Sequence, residues 1–355
     1  MRNLFIIILA LFFQQGAAQK LHDGPYVVYK EEEAFVKQVT DSVATEKEIP
    51  LGGDVAVTFP GNPNWNFSVP LRKDLQIEPV ETPLRKKLFI VSDIEGEFKG
   101  FRELLIANKV INETYEWTFG KGHLVICGDL FDRGLNVPEC LWLIYKLEDL
   151  AKAKGGYVHT ILGNHDIMNL SGDLRYVQPK YFESAKLMEI DYMRLYDSNT
   201  ELGRWLRTKN IIEKIGDNLC THAGVAPQIN KLGLSLKAIN EKCRPYYDKA
   251  GNVKAAGDTT AAKFFEGKTS LFWYRGYFRE PKATEEEVDE TLKLYDVKRI
   301  IVGHTIVPGN VGLHYNGKVL GLDVDQHSGD HQAALYENGK WYKVNDKGNK
   351  IELKN

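Results

Sequence analysis

Five short motifs carry residues suited to metal and phosphate chemistry. They are Asp93-Ile94-Glu95, Gly128-Asp129-Leu130-Phe131-Asp132-Arg133-Gly134, Gly163-Asn164-His165-Asp166, Thr221-His222-Ala223-Gly224 and Gly303-His304-Thr305. Each stands at or just after the end of a short apolar run. Hydrolysis of a phosphate ester at two metals needs a carboxylate that bridges the cations, so that they share a hydroxide nucleophile. It also needs positive groups for the nonbridging oxygens and an acid for the departing oxygen. Asp129 is the natural bridge. His165 directly follows the candidate ligand Asn164, so it can face the site without binding metal, and Asp132 can hold its other ring nitrogen. Arg133 can make a bidentate contact to phosphate. A lone Asp after a strand is usually a helix cap. Five motifs in this order, with glycines that let the backbone approach closely, are poorly explained as caps.

Such residues need strand ends that converge, because ligands of open α/β sheets bind outside the carboxyl ends of the strands. Residues 88–91, 123–127, 157–162, 218–221 and 297–302 read as those strands, each running into a motif. Helical periodicity covers 98–110. A second helix is predicted over 138–153, with Pro138 in its first turn and Gly155-Gly156 past its end. A third starts near Thr284, whose Glu287 completes a capping box. Strands alternating with helices predict an α/β fold. Asn316-Gly317 and Asn338-Gly339 each sit between strand-like runs, as in tight hairpins, so 311–353 reads as an antiparallel meander packed on the sheet. Residues 225–270 are less periodic and are expected to cap the site.

The length would fit two domains, although α/β enzymes of this size are often one. A formal net charge of −2, without a basic patch, argues against nucleic acid as a partner. Arg2, the apolar run 4–13 and Gly16-Ala17-Ala18 together predict a signal peptide over 1–18. The run is shorter than the roughly 20 apolar residues a membrane span needs. The mature protein is therefore expected to be exported, periplasmic or secreted, with no stable membrane insertion after cleavage. Residues 19–86 read as an N-terminal extension, 87–325 as the main domain and 326–355 as C-terminal antiparallel strands packed on it. Export permits disulfides, yet Cys127, Cys140, Cys220 and Cys243 read best as buried thiols. Without a CxxC pair, a structural zinc site is not expected.

The motifs at 128–134, 163–166 and 303–305 resemble signatures of the calcineurin-like metallophosphoesterase superfamily, in its phosphoprotein phosphatase branch. The stretch Gly163 to Tyr176 and the tetrad Trp273-Tyr274-Arg275-Gly276 are similar to the Shewanella-like protein phosphatases. The resemblance implies a central β-sandwich flanked by helices, a four-layer αββα form of the α/β (α+β) class. It implies one metal on Asp93, residue 95 and Asp129, and another on Asp129, Asn164, His222 and His304. His165 with Asp132 would be the general acid pair. Arg133 and Arg275 would clamp the phosphate, with Asn164 and Tyr274 also contacting substrate. The implied activity is hydrolysis of phosphate monoesters, on small molecules or on tyrosine, serine or threonine of phosphoproteins.

Glu95 departs from that pattern, in which a His follows the first Asp by two. Glu95 either ligates metal, leaves a weak site, or marks a non-catalytic binding protein. Ligation is favoured because the other positions are intact, and an oxygen-only first site suits Mn²⁺ or Mg²⁺, with Fe or Zn admitted in the other. Around the motifs, Asp166 reads as a helix cap and His159 as a core histidine. Arg175 is as readily an ion pair with Asp173 as a site residue. Asp323 and Asp325 are expected to hold the metal histidines. His327 and His331 flank a loop and are not expected to line the site rim.

Overall fold

The computed structural model describes residues 20–84, 86–307 and 309–354; the predicted signal peptide lies outside the described residues. The chain opens with a three-stranded antiparallel sheet, β1 (Asp23–Lys30), β2 (Glu33–Thr40) and β3 (Val43–Ile49), followed by a hairpin, β4 (Asp54–Val57) and β5 (Phe67–Pro70). Then come β6 (Glu81–Thr82), β7 (Lys87–Val91), α1 (Phe98–Ala107), β8 (His123–Cys127), α2 (Val137–Ala153), β9 (Tyr157–Ile161) and α3 (Asn164–Ser171). Helices α4 (Pro179–Leu187) and α5 (Glu201–Leu206) lead to β10 (Ile212–Ile215) and β11 (Asn218–Thr221). Three short helices follow, α6 (Pro227–Asn230), α7 (Leu236–Cys243) and α8 (Thr259–Phe265), before α9 (Glu285–Tyr295) and β12 (Arg299–Val302). The last strands are β13 (Gly312–His314), β14 (Val319–Gly321), β15 (Gln332–Glu337), β16 (Lys340–Asn345) and β17 (Lys350–Glu352).

Two six-stranded sheets form the centre, ordered β17-β16-β15-β7-β8-β9 and β13-β14-β12-β11-β10-β6. Strand side chains alternate between faces, and these strands are apolar on both. Leu88, Ile90, Val125 and Cys127 meet Ile215, Cys220, Ile301 and Leu320 in a core between the sheets. The alternate residues Phe89, Val91, Leu124 and Ile126 pack outward with Leu104 of α1 and Leu141 of α2. On the second sheet Ile300 and Val302 pack outward with Val288 of α9. The layers are therefore helix, sheet, sheet, helix. All four cysteines are buried free thiols. The capping box of α9 is formed: Glu287 N–H donates to Thr284 Oγ1 at 3.3 Å, and Thr284 N–H donates to Glu287 Oε2 at 3.0 Å.

The expected C-terminal meander is divided between the sheets. β13 and β14 join the second sheet, where β14 runs parallel to β12, whereas β15 pairs antiparallel with β7 in the first. The hairpin turns were legible locally. The partner of each strand depends on which sheet edge is open, which local pattern does not report.

The N-terminal extension lies on the helical layer. Trp142 Nε1 donates to Pro25 O at 2.8 Å, and Tyr29 OH to Glu201 Oε2 at 2.8 Å. β6 adds a parallel strand to β10 and so covers a sheet edge. A buried ion cluster ties the extension down. Lys209 Nζ, on a fully buried side chain, lies 2.7 Å from Glu148 Oε1 and 3.2 Å from Glu78 Oε1, while Arg72 takes Glu148 Oε2 at 2.7 Å. Removing one partner of such a cluster leaves charge buried and uncompensated. Lys209→Ala is expected to cost about 3–5 kcal/mol, read as a lower denaturant midpoint; an unchanged midpoint would contradict this account.

Candidate active site

The five motifs meet at one end of the sandwich, at the ends of β7, β8, β9, β11 and β12. The chain turns there so sharply that non-glycine residues enter the left-handed region: Asp93 (φ 51°), Glu95 (47°), Asp129 (56°), Asp132 (73°), Arg133 (56°) and His304 (64°). That conformation costs roughly 1–2 kcal/mol per residue and clusters where function requires it. Neighbouring turns hold it: Asp93 N–H donates to Gly128 O at 3.0 Å and Glu95 N–H to Asp129 O at 3.0 Å. Asp166 does more than cap α3. Its carboxylate accepts from the N–H groups of Gly163 (2.7 Å), Asp129 (3.1 Å), Leu130 (2.8 Å) and Phe131 (3.3 Å), fixing the Asp129 turn. Gly163 is needed for close approach, since a Cβ there would lie 2.2 Å from Asp129 Oδ1.

His222, Asn164, Asp129 and His304 converge. His222 Nδ1 faces Cys127 O at 2.9 Å, which makes that nitrogen the donor. Its Nε2 then points a lone pair at Asn164 Oδ1 (2.9 Å) and Asp129 Oδ2 (3.1 Å), both acceptors. His304 Nε2 is buried without a hydrogen-bond partner. Ligand atoms of Asp129, His222 and His304 lie within 4.8 Å of one another. The lone pairs of His222, Asn164 and Asp129 directed at one another, with His304 beside them, call for positive charge. A second proton on His222 is one local source: burial opposes it, but Asp129 and its hydrogen bond lift that imidazole to about 10. A divalent cation satisfies the same set, and the mixed nitrogen and oxygen donors fit one.

The second cluster is anionic. Burial, with Asp129 pushing the same way and His222 opposing, raises Asp93 to about 6. Burial, then Asp93 and Asp129, raises Glu95 to about 8. Burial, then Asp93 and Glu95, raises Asp323 to about 9. Burial opposes the charge on Asp129 too, but His222 and His165 hold it below the usual carboxylate range. A second cation would discharge this crowd of carboxylates. Glu95 and Asp129 present ligand atoms within 4.8 Å of each other and of a His165 ring nitrogen, a grouping that does not include Asp93, and Glu95 Oε1 also meets Arg133 Nη1 at 2.5 Å.

His165 Nδ1 lies 2.6 Å from Asp132 Oδ2. Asp132 Oδ1 accepts from Asn169 Nδ2 at 2.8 Å, and Asn169 Oδ1 from Tyr192 OH at 2.8 Å, a buried chain that locks the ring. Burial disfavours the imidazolium, but Asp129 and the Asp132 hydrogen bond outweigh it and lift His165 to about 9. His165 Nε2 faces the site, 4.0 Å from Asp129 Oδ2.

A cavity of about 350 Å³ opens over these groups, lined by Arg133, Arg275, Arg279, Tyr176, Trp273 and Ile306 above the acidic floor. Arg275 is aimed by His304, whose carbonyl accepts from its Nη1 at 2.8 Å. Among the described residues, none of the N-terminal extension or of 225–270 lines this cavity. The latter segment was expected to cap the site; instead Ile229, Leu236, Ile239 and Phe264 sink into the helical core. Their helices are too short for periodicity to be visible in sequence.

Other expectations need correcting. Tyr274 was expected to contact substrate, but it is buried with Ala223, Ala226 and Tyr277, and Trp273 lines the cavity in its place. In this turn the residues flanking Tyr274 on both sides, Trp273 and Arg275, face the cavity while Tyr274 faces away. Asp323 and Asp325 were expected to hold the metal histidines. His222 is instead held by the Cys127 carbonyl, Asp323 crowds Asp93 and Glu95, and Asp325 meets His327 at 3.2 Å. His327 and His331, not expected to line the rim, are absent from the cavity lining, although His327 lies 3.3 Å from Glu95 Oε2. Arg175 forms a bidentate pair with Asp173 at 2.8 Å and does not line the cavity. His159 is satisfied by Glu213 Oε2 at 2.7 Å, as a core histidine should be. Arg279, Tyr176 and Ile306 were missed as cavity residues; only the spacing of Arg279, one helical turn after Arg275, hinted at a shared face.

Comparison with known proteins gives consistent findings. The family model for calcineurin-like phosphoesterases matches residues 86–308. The crystal structure of a cold-active protein-tyrosine phosphatase of a psychrophilic Shewanella species superposes with a TM-score of 0.86, at 33% identity, covering 94% of this chain and 99% of that one. Shewanella-like protein phosphatase 2 of Arabidopsis thaliana is 26% identical over 301 residues, 72% of this chain and 75% of the relative. Shewanella-like protein phosphatase 1 of Plasmodium berghei is 27% identical over 276 residues, 73% of this chain and 72% of the relative.

Proposed function

The chain belongs to the calcineurin-like phosphoesterase family, and from that premise we propose that it is an exported two-metal phosphatase of phosphate monoesters. One observation supports this reading above the others. The nitrogen and oxygen donors of His222, Asn164, Asp129 and His304 gather in one buried group, beside a cavity lined by three arginines. Bound there and at Asp93, Glu95 and Asp129, two cations would supply an activated water and neutralise phosphoryl charge. The protein's own groups do the rest. Arg133 and Arg275, with Arg279 nearby, draw the phosphoryl oxygens to the floor of the cavity. Asp132 keeps Nδ1 of His165 protonated, so Nε2 delivers its proton to the departing oxygen. Asn164 serves the metal and the substrate side together.

A phosphoprotein is the second reading of the substrate. The named activities of the Shewanella and plant relatives favour it, and so do Tyr176 and Trp273 at the cavity wall, which suit an aromatic ester. Export favours small phosphate esters. A non-catalytic role would leave the assembled His165–Asp132–Asn169 chain without use. Among the described residues no helix is long and apolar enough to cross a membrane. The export proposal rests on the predicted signal peptide; recovered protein that still begins at Met1 would overturn it.

The test is to strip metal from the mature protein and assay an aryl phosphate with Mg²⁺, Mn²⁺, Fe²⁺, Zn²⁺ or Ca²⁺ added singly. Strong turnover restored by at least one ion is expected. Tight metal binding with no turnover on aryl phosphate, phosphopeptide or sugar phosphate would reject the enzyme reading. Rates on the last two separate the substrate classes. Glu95→His is expected to shift the first site from Mn²⁺ toward Zn²⁺, because imidazole is the softer donor. Metal analysis after equilibration with both ions reads the shift, and unchanged preference would remove Glu95 from the ligand set.

A further inference from the structure

Residue 95 brings a carboxylate where the family pattern has an imidazole, and the fold brings a histidine to that carboxylate from far along the chain. His327 Nδ1 stands 3.3 Å from Glu95 Oε2, while Arg133 Nη1 stands 2.5 Å from Glu95 Oε1. Each oxygen of Glu95 therefore has a nitrogen-bearing side chain within ion-pair distance. His327 sits in a short 3-10 turn, Gln326–Ser328, closed by Gly329 in the left-handed conformation (φ 95°). The turn is anchored against the first motif: Gln326 is buried, and its Nε2 donates to the carbonyl of Ser92 at 3.0 Å, the residue before Asp93. Asp323, on the approach to the same turn, lines the cavity with Asp93 and Glu95. The same ring nitrogen, His327 Nδ1, also lies 3.2 Å from Asp325 Oδ1, so it stands between the carboxylates of Glu95 and Asp325.

A glutamate has more rotatable bonds than a histidine and loses more freedom when fixed. It holds a ligand oxygen in place only if something holds it. Outer partners do this for metal ligands, and their loss typically weakens metal binding 10–100-fold. We propose that His327 is a positioning residue of the first metal site: it grips Glu95 Oε2 as Arg133 grips Oε1, and so aims the carboxylate beside Asp93 and Asp129. The proposal rests on the reading of Asp93, Glu95 and Asp129 as a metal site, and it makes Glu95 and His327 a matched pair.

The experiment measures Mn²⁺ stoichiometry and affinity by calorimetry or chelator competition on the mature protein. The variants are His327→Ala, His327→Asn, Glu95→Gln and the Glu95→Gln/His327→Ala double. His327→Ala should weaken one of two Mn²⁺ equivalents about 10–100-fold and leave the other within about twofold. His327→Asn, whose amide can donate from near the Nδ1 position, should restore most of that loss. In the Glu95→Gln background, His327→Ala should change affinity by less than about twofold. Unchanged Mn²⁺ binding in His327→Ala overturns the proposal, and so does an equal loss with and without the Glu95 carboxylate. Wild type that binds no Mn²⁺ overturns it as well. Turnover is scored separately: two bound Mn²⁺ with the expected coupling, but no hydrolysis of any ester, would reject the phosphatase reading and uphold His327.

Discussion

His165→Ala is expected to lower kcat about 10²–10⁴-fold, the usual contribution of a positioned general acid, while two metals stay bound. The ring is held by side chains outside the ligand set: Nδ1 by Asp132 at 2.6 Å, and Asp132 in turn by Asn169 at 2.8 Å. His165 touches the ligands through its backbone N–H, which donates to Asp129 Oδ1 at 2.9 Å and survives truncation to Ala. Metal content should therefore be preserved. The size of the loss should depend on the leaving group. An activated aryl ester departs with little help, whereas an alkyl ester needs its oxygen protonated. The defect should thus be smallest for the activated aryl phosphate and largest for an alkyl one. An equal loss on both, or activity near wild type, would take the acid role away from His165.

The second large effect is that of Asp129→Asn. Both clusters share this carboxylate: its Oδ2 lies 3.1 Å from His222 Nε2, and its charge is felt by Asp93, Glu95 and Asp323. An amide keeps the shape and loses the charge. Metal affinity at both sites should fall by more than the 10–100-fold typical of an outer partner, and kcat/KM by about 10³-fold or more, ~4 kcal/mol of barrier. Direct metal analysis beside kinetics at saturating Mn²⁺ checks it. If excess Mn²⁺ restores full activity, the carboxylate only recruits metal. If two metals remain bound at wild-type affinity, Asp129 does not bridge them.

Much of this could be read from the chain because the chemistry lies at strand ends. A buried strand is a short apolar run, and the residue after it must turn. Asp93, Asp129, Asn164, His222 and His304 were therefore locatable without coordinates, and the sharp turns and close approaches at these strand ends explain glycines such as Gly128 and Gly163 beside them. The helices after 98, 137 and 284 were legible for a similar reason, since each carries its own periodicity, and the last two carry a proline first turn and a capping box. Segment 225–270 failed because its helices span only a turn or two, too short for a period to show. Tyr274 failed because a turn, unlike a strand or helix, has no fixed rule for which side a residue faces.

The sequence alone determined the residue types, their order and the strand ends that present them, because those depend on local pattern and on chemistry that tolerates few substitutes. Only the tertiary structure decided who stands beside whom. It split the C-terminal strands between two sheets, buried Lys209 between Glu78 and Glu148, and turned Trp273 rather than Tyr274 into the cavity. It also set His327 against Glu95 across 232 residues of chain. Such pairings follow from how distant surfaces pack, and no local stretch of sequence carries that information.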